Sequence, residues 1–364
     1  MFSVYRKRPL WPDRPGVAPR GRTPLFAGLV AIGLATLSIA AQADPTQSDL
    51  EAMKALYQRP PAMPYPKNNP YSAAKAELGR QLFFDPHLSG PSNTSCATCH
   101  NPERSWGDGL PTGVGSAGNR LARHSPTILN LAWAEVLFWD GRADTLEEQA
   151  VQPILNPDEM NMPMPRLLDS LRDTPGYRTA FNNAFPGEPI SASTVGKAIA
   201  TFERTVISGQ APFDQWISGD ENAIDASAKR GFVVFNTKGH CSTCHSGWRL
   251  TDDSFQDIGL GDDDLGRGKV VEGLEPLRHA FKTPSLRNIA ERAPYMHNGS
   301  LSTLTDVIRH YRNGFMRRPS LSVEIRRLLL TDMDAKDLAA FLKTLTSTDA
   351  KISVPTPVIE EAKR

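Results

Sequence analysis

The same five-residue pattern occurs twice, as Cys96-Ala97-Thr98-Cys99-His100 and as Cys241-Ser242-Thr243-Cys244-His245. Two thiols separated by two residues, with an imidazole directly after, suit covalent attachment of a c-type haem. The thiols form thioethers with the porphyrin vinyl groups, and the histidine becomes the proximal iron ligand. A zinc reading would want four ligands per metal, and the two runs consume all four cysteines of the chain. No thiol is left for a disulfide. The expectation is therefore two covalent haem c groups, one on Cys96, Cys99 and His100 and one on Cys241, Cys244 and His245.

The group facing each iron decides what the haem does. A strong sixth ligand suits electron transfer, whereas an open sixth position admits peroxide. For the second haem, Leu304, Val307, Ile308 and Tyr311 recur at helical spacing, giving one apolar face that ends in a phenol. Thr303 with Asp306 reads as a capping box and Gly314 as the stop of a helix over 303–313. Spacing alone leaves Tyr311 either a core tyrosine with a hydrogen-bonded hydroxyl or an axial ligand, with Met296, Met316 and Met333 as rivals. For the first haem, Met160, Met162 or Met164 could supply a thioether, or Glu159 could stand as a carboxylate above an open iron.

These groups need helices to hold them, and the sequence reads as mainly α with almost no strand-like alternation. A helix through Ala73–Phe84 precedes the first haem motif, and residues 226–236 repeat its design before the second. Gly79 and Phe83 match Gly231 and Phe235 at the same four-residue spacing, the glycine permitting a close helix crossing. Each half then closes on an amphipathic helix, Ile199–Val206 in the first and Leu338–Leu345 in the second. Two tandem cytochrome c-like domains follow, over 72–212 and 213–350. An extended Pro-rich lead-in is expected at 44–71 and a surface tail at 351–364.

Six basic residues, an apolar run from Leu25 to Ala41 and the small-x-small site Ala41-Gln42-Ala43 read as a secretory signal peptide over 1–43. The mature chain would begin near Asp44 in the periplasm, where covalent haem attachment takes place, and no stable membrane insertion is expected. Removing that segment takes the formal charge from +1 to −4. Nothing in this balance suggests nucleic acid; a charged protein partner is the natural reading.

The motifs Phe138-Trp139-Asp140-Gly141-Arg142-Ala143, Glu148-Gln149-Ala150, Asn156-Pro157-Asp158-Glu159-Met160, Lys282 to Asn288 and Ala293 to Gly299 occur in order with the haem runs. Together they resemble the bacterial dihaem cytochrome c peroxidase and MauG family over nearly all of the mature chain. The resemblance implies that the first haem reacts with hydrogen peroxide, that the second handles electrons, and that Trp139 lies between them. It implies that Glu159 moves protons in the distal pocket of the first haem, with Gln149 and Pro153 lining it.

Two departures from the commoner peroxidase pattern bear on function. Ser116, in Gly113-Val114-Gly115-Ser116, stands where many of these peroxidases carry a blocking distal histidine. Tyr311, fourteen residues beyond His297, stands where they place an axial methionine, as in the His/Tyr-ligated MauG-like branch. Calcium between the domains also belongs to the family pattern, but His124 stands where it has an asparagine ligand and Arg292 where it has a threonine. The resemblance implies a periplasmic oxidoreductase that reduces hydrogen peroxide and oxidises a protein partner through a high-valent state shared by both haems. The partner is either a protein substrate or a small redox protein. A conventional cytochrome c peroxidase and a plain dihaem electron carrier are the alternatives.

Overall fold

The computed structural model describes residues 45–348, so the expected signal peptide and the tail lie outside the described residues. Within them the chain is helical apart from one antiparallel pair, β1 (Phe255–Gln256) on β2 (Phe281–Lys282), with Phe255 opposite Lys282 and Gln256 opposite Phe281. The first lobe contains α2 (Ala73–Phe84), α3 (Cys96–Cys99), α4 (Leu146–Leu155), α5 (Met164–Asp173), α6 (Pro175–Ala184) and α7 (Ala192–Thr205). The second contains α8 (Pro212–Ile217), α9 (Ala226–Asn236), α10 (Leu304–Arg309) and α11 (Asp332–Lys343). Each lobe has its own core. One gathers Leu78, Leu82, Phe83, Ile199 and Phe202, and the other Phe213, Phe232, Phe235, Leu338 and Phe341.

The internal repeat is a repeated helix crossing. A Cβ on Gly79 would lie 1.9 Å from the Ala198 carbonyl oxygen, and one on Gly231 would lie 1.9 Å from that of Asp337. Glycine is therefore what lets α2 cross α7 and α9 cross α11 with their backbones in contact. The aromatic partner repeats too: Phe83 and Phe202 have ring centroids 5.2 Å apart, and Phe235 and Phe341 5.1 Å. Burying such pairs supplies much of the stability of a small helical lobe.

The lead-in is not extended throughout, which corrects the sequence-based expectation. Residues Gln47–Ala55 form a helix, α1, started by a capping box between Thr46 and Asp49. Directly after it Tyr57 is buried in the second core, its hydroxyl donating to Asn236 Oδ1 at 2.6 Å. The Thr-x-x-Asp cap is the local signal that the proline content of 59–66 obscured. The helix expected over 303–313 is also divided. The α-helical part ends at Arg309, and a π-helical turn, His310–Gly314, follows. Wide turns of this kind re-aim side chains and recur at functional sites.

The lobes meet along a polar seam. Arg123 reaches both Asp140 and Asp264 at 2.7 Å, the His124 N–H donates to the His297 carbonyl at 2.7 Å, and the Lys282 N–H donates to the Trp139 carbonyl at 2.8 Å. Trp139 and His124 are thereby each tied to the other lobe.

Candidate functional site

The second haem motif opens at His240, whose left-handed backbone (φ 49°) turns the chain into the short helical turn Cys241–Thr243. The His245 N–H returns to the Cys241 carbonyl at 2.9 Å, and its Nδ1 donates to the Leu250 carbonyl at 2.9 Å. That bond fixes the ring tautomer with Nε2 as the lone-pair nitrogen, and burial holds the imidazole neutral. Cys241, Cys244, His245 and Tyr311 all line one cavity of about 250 Å3, walled by apolar side chains such as Leu304, Ile308 and Leu342.

Tyr311 sits in the π-helical turn with its phenol close enough to both thiols to feel their charge, and burial pushes its pKa up. Its hydroxyl has no hydrogen-bond partner among the described residues. A core tyrosine normally finds one, so the bland reading of Tyr311 lacks its expected contact. Of the rival ligands, Met316 is 52% and Met333 58% exposed, whereas Met296 lines the cavity.

At the first motif, α3 carries Cys96 and Cys99, and the His100 N–H bonds back to the Cys96 carbonyl at 2.9 Å. Behind it the Phe83 ring packs against His100, Trp106 and Phe202. Pro153 lies inside α4 and has no N–H, so the Gln149 carbonyl, four residues earlier, lacks its helical donor. The following turn folds back on this break. The Met160 N–H donates to the Pro153 carbonyl at 3.2 Å and the Met162 N–H to the Ile154 carbonyl at 2.8 Å. Glu159 lies in this turn, its Oε1 accepting from Asn156 Nδ2 at 2.8 Å.

The carboxyl of Glu159 is half-buried. Burial raises its pKa, and the Asn156 donor only partly offsets this. Its charge acts on both Cys96 and Cys99. Met160 and Met162, by contrast, are buried in the first core. Ser116 is buried as well. Its N–H donates to the Glu159 carbonyl at 2.7 Å, and its own carbonyl accepts from Asn93 Nδ2 at 3.0 Å. This segment is thus stitched to the Glu159 loop through its backbone.

Trp139 also lines the cavity, and its indole N–H donates to the His124 carbonyl at 2.8 Å. It makes an edge contact with His297, which in turn stacks flat on Phe281 with centroids 3.5 Å apart. His297 Nε2 is 3.0 Å from Asp262 Oδ2 but out of line for a hydrogen bond.

The residues fit haem c at both motifs. A redox-active dithiol has a lowered thiol pKa, whereas burial pushes Cys241 up to about 12 and Cys99 and Cys244 up to about 11. Among the described residues no group of three or more His, Cys, Asp or Glu is arranged to hold a metal ion, which also removes the zinc reading. The lobe seam does not fit calcium, which takes six to eight hard oxygen ligands. At the two positions where the family pattern has asparagine and threonine, the side chains are an imidazole, His124, and a guanidinium, Arg292. The carbonyl oxygens of Leu110, His124 and His297 already accept bonds from His124 Nδ1, Trp139 Nε1 and the His124 N–H.

Sequence reasoning missed two features. One is a set of cations on the cavity wall, Arg249, Lys282 and Arg292. The other is Glu203, 4% exposed, with an unpartnered Oε2 and a pKa pushed up to about 8 by burial. The repeat held the signal for the second. Aligning Ile199–Val206 with Leu338–Leu345 puts Glu203 at the position of Leu342, which lines the second cavity.

Comparison with known proteins agrees with this geometry. The family profile described as di-haem cytochrome c peroxidase matches residues 73–222, and the cytochrome c profile matches residues 228–346. The methylamine utilization protein MauG of Methylorubrum extorquens is 50% identical over 331 residues, 90% of this chain and 94% of that protein. The protein of the same name from Methylophilus methylotrophus is 48% identical over 304 residues, 82% and 90% of the two chains. Among solved structures, a MauG-like protein associated with microbial copper homeostasis has a TM-score of 0.73 at 33% identity, covering 85% of this chain and 98% of that one. With two haem c motifs, two cytochrome c-like lobes and this likeness along its length, the chain belongs to the dihaem cytochrome c peroxidase and MauG family and is a MauG-like, haem peroxidase-type oxidoreductase.

Proposed function

We propose that this protein acts in the periplasm, reducing hydrogen peroxide to water at the first haem site while taking the two electrons from a protein partner through the second. The partner in this reading is a protein substrate oxidised at a distance, as in the MauG-like branch. Haem c, when bound, supplies an iron that accepts peroxide where its sixth position is open and otherwise passes single electrons. The observation that carries the reading is Tyr311, a phenol without a protein hydrogen bond in the cavity that also holds His245. A phenolate is a hard anionic donor that favours oxidised iron, which suits a centre that stores oxidising power over one that readily accepts an electron.

Each of the chain's own groups has a task in this proposal. Glu159 takes a proton from one peroxide oxygen and returns it to the other, and its raised pKa brings it nearer the working pH. Gln149 and Pro153 shape the pocket around it. Trp139, tied to His124 on one lobe and to Lys282 on the other, supplies an oxidisable π-system between the two centres. His245 is held neutral by burial and in one tautomer by Leu250. The secretory signal expected at 1–43 and the site of haem attachment favour the periplasm.

The test is rapid mixing of the oxidised protein with peroxide. Glu159→Gln slows the reaction about 10²–10⁴-fold with both resting haem spectra unchanged. Trp139→Phe still reacts, but the spectral change stays with the first haem. A wild-type rate in Glu159→Gln removes the acid–base assignment, and normal oxidation of both haems in Trp139→Phe removes the bridge.

A further inference from the structure

The cavity wall of the second lobe carries Arg104, Arg249, Lys282, Arg292 and Arg326 together with Glu291 and Glu324. Arg249 and Lys282 share one carboxylate, Asp253, with Lys282 Nζ 3.4 Å from Oδ1. Arg292 pairs with no carboxylate among the described residues. Its Nη2 donates to the Ser285 carbonyl, while its Nε is shut off from solvent with no partner. Burial alone pushes this guanidinium down to about 10. Arg292 is thus a buried cation without a carboxylate of its own beside a haem motif. A buried cation without a counter-ion is destabilising by several kcal/mol, so this wall is built for an anion from outside the polypeptide. Haem c carries two propionate carboxylates, either of which would supply the counter-ion that Arg292 lacks.

Arg292 also stands at the crossing of the lobes. It lines one cavity together with His124 of the first lobe and His245 and Lys282 of the second. The carbonyls of the seam around it are already engaged, which disfavours a hard divalent cation. We infer that Arg292 is the fixed cation of the lobe junction, anchoring a propionate of the haem held by His245, and that this protein uses no calcium there. Lys282 assists from the same wall. A positive charge beside a bound haem would favour the reduced, less positive iron, so Arg292 would raise the potential of the second haem.

The inference rests on the two-haem reading, and the experiment separates the two. Haem content is measured first by pyridine haemochrome on the full-length holoprotein; fewer than two haems per chain would sink the two-haem reading itself. On protein with both haems, calcium is quantified by elemental analysis, spectra are recorded with and without EGTA, and the second haem is titrated potentiometrically in wild type, Arg292→Lys and Arg292→Gln. The expected result is less than stoichiometric calcium, unchanged spectra with EGTA, a lowered second-haem potential in Arg292→Gln and a potential close to wild type in Arg292→Lys. Stoichiometric calcium whose removal alters the spectra overturns the inference. So does an unshifted potential in Arg292→Gln, or, should that variant fail to load haem, a potential in Arg292→Lys displaced as far as that of a neutral variant at Lys282, Lys282→Gln.

Discussion

Gly231→Ala tests whether the close crossing of α9 and α11 sets the second haem site. The added Cβ would lie 1.9 Å from the Asp337 carbonyl oxygen and 2.8 Å from Phe341 Cβ, where ordinary contact begins at 3.4 Å. The shortfall against the carbonyl is about 1.5 Å. Because the obstacle is backbone, no rotamer change relieves it and the helices must separate. Overpacking of this kind costs about 1–3 kcal/mol, more when backbone moves, against about 1 kcal/mol gained by replacing a helical glycine. Separation also loosens the Phe235–Phe341 contact and shifts α11, which carries Leu338 and Leu342 into the cavity wall. The expected net loss is about 2 kcal/mol, read by urea denaturation of the holoprotein, with a perturbed second-haem spectrum and an unaltered first. Gly79→Ala mirrors it in the first lobe, and Gly261→Ala, whose Cβ would find only Met316 Cε at 3.5 Å, serves as control. A Gly231→Ala protein within 0.5 kcal/mol of wild type, taken as roughly the limit for a neutral surface change, refutes the crossing argument.

Tyr311→Phe is expected to change the second-haem absorption spectrum, whereas Met316→Leu, at an exposed position, leaves it nearly unchanged; the reverse outcome assigns the ligand to the loop after Gly314. Glu203 gives a pH dependence whose sign is fixed. Its folded pKa of about 8 exceeds the ordinary 4.5, so the stability held by the protonated form is complete below about 4.5 and is lost as pH rises through 8. The rise corresponds to roughly 4–5 kcal/mol at most, so Glu203→Gln should gain on wild type in urea titrations from pH 5 to 9, and parallel pH profiles would contradict this.

The helical repeat was legible because its signals are local: a glycine four residues before a phenylalanine, an amphipathic row, and two five-residue attachment runs. Tyr311 stood out through the same periodicity, although the π-helical turn that carries it left no mark in the pattern. The helix Gln47–Ala55 was missed because the prolines after it dominated the reading, although Thr46 and Asp49 spell its cap. The cation wall was out of reach for another reason. Arg249, Lys282 and Arg292 lie on three separate segments, and only the tertiary fold brings them to one cavity wall, where Arg249 and Lys282 share Asp253.

The central claim is that the two haems are unequal, the first open towards Glu159 and the second closed by His245 and Tyr311. Electron paramagnetic resonance of the fully oxidised protein at rest tests it most directly. The account predicts one high-spin signal from the first haem together with one low-spin signal from a His/Tyr-ligated second haem, the low-spin signal alone changing in Tyr311→Phe. Two low-spin signals with no high-spin component would contradict it and return the protein to the reading of a dihaem electron carrier.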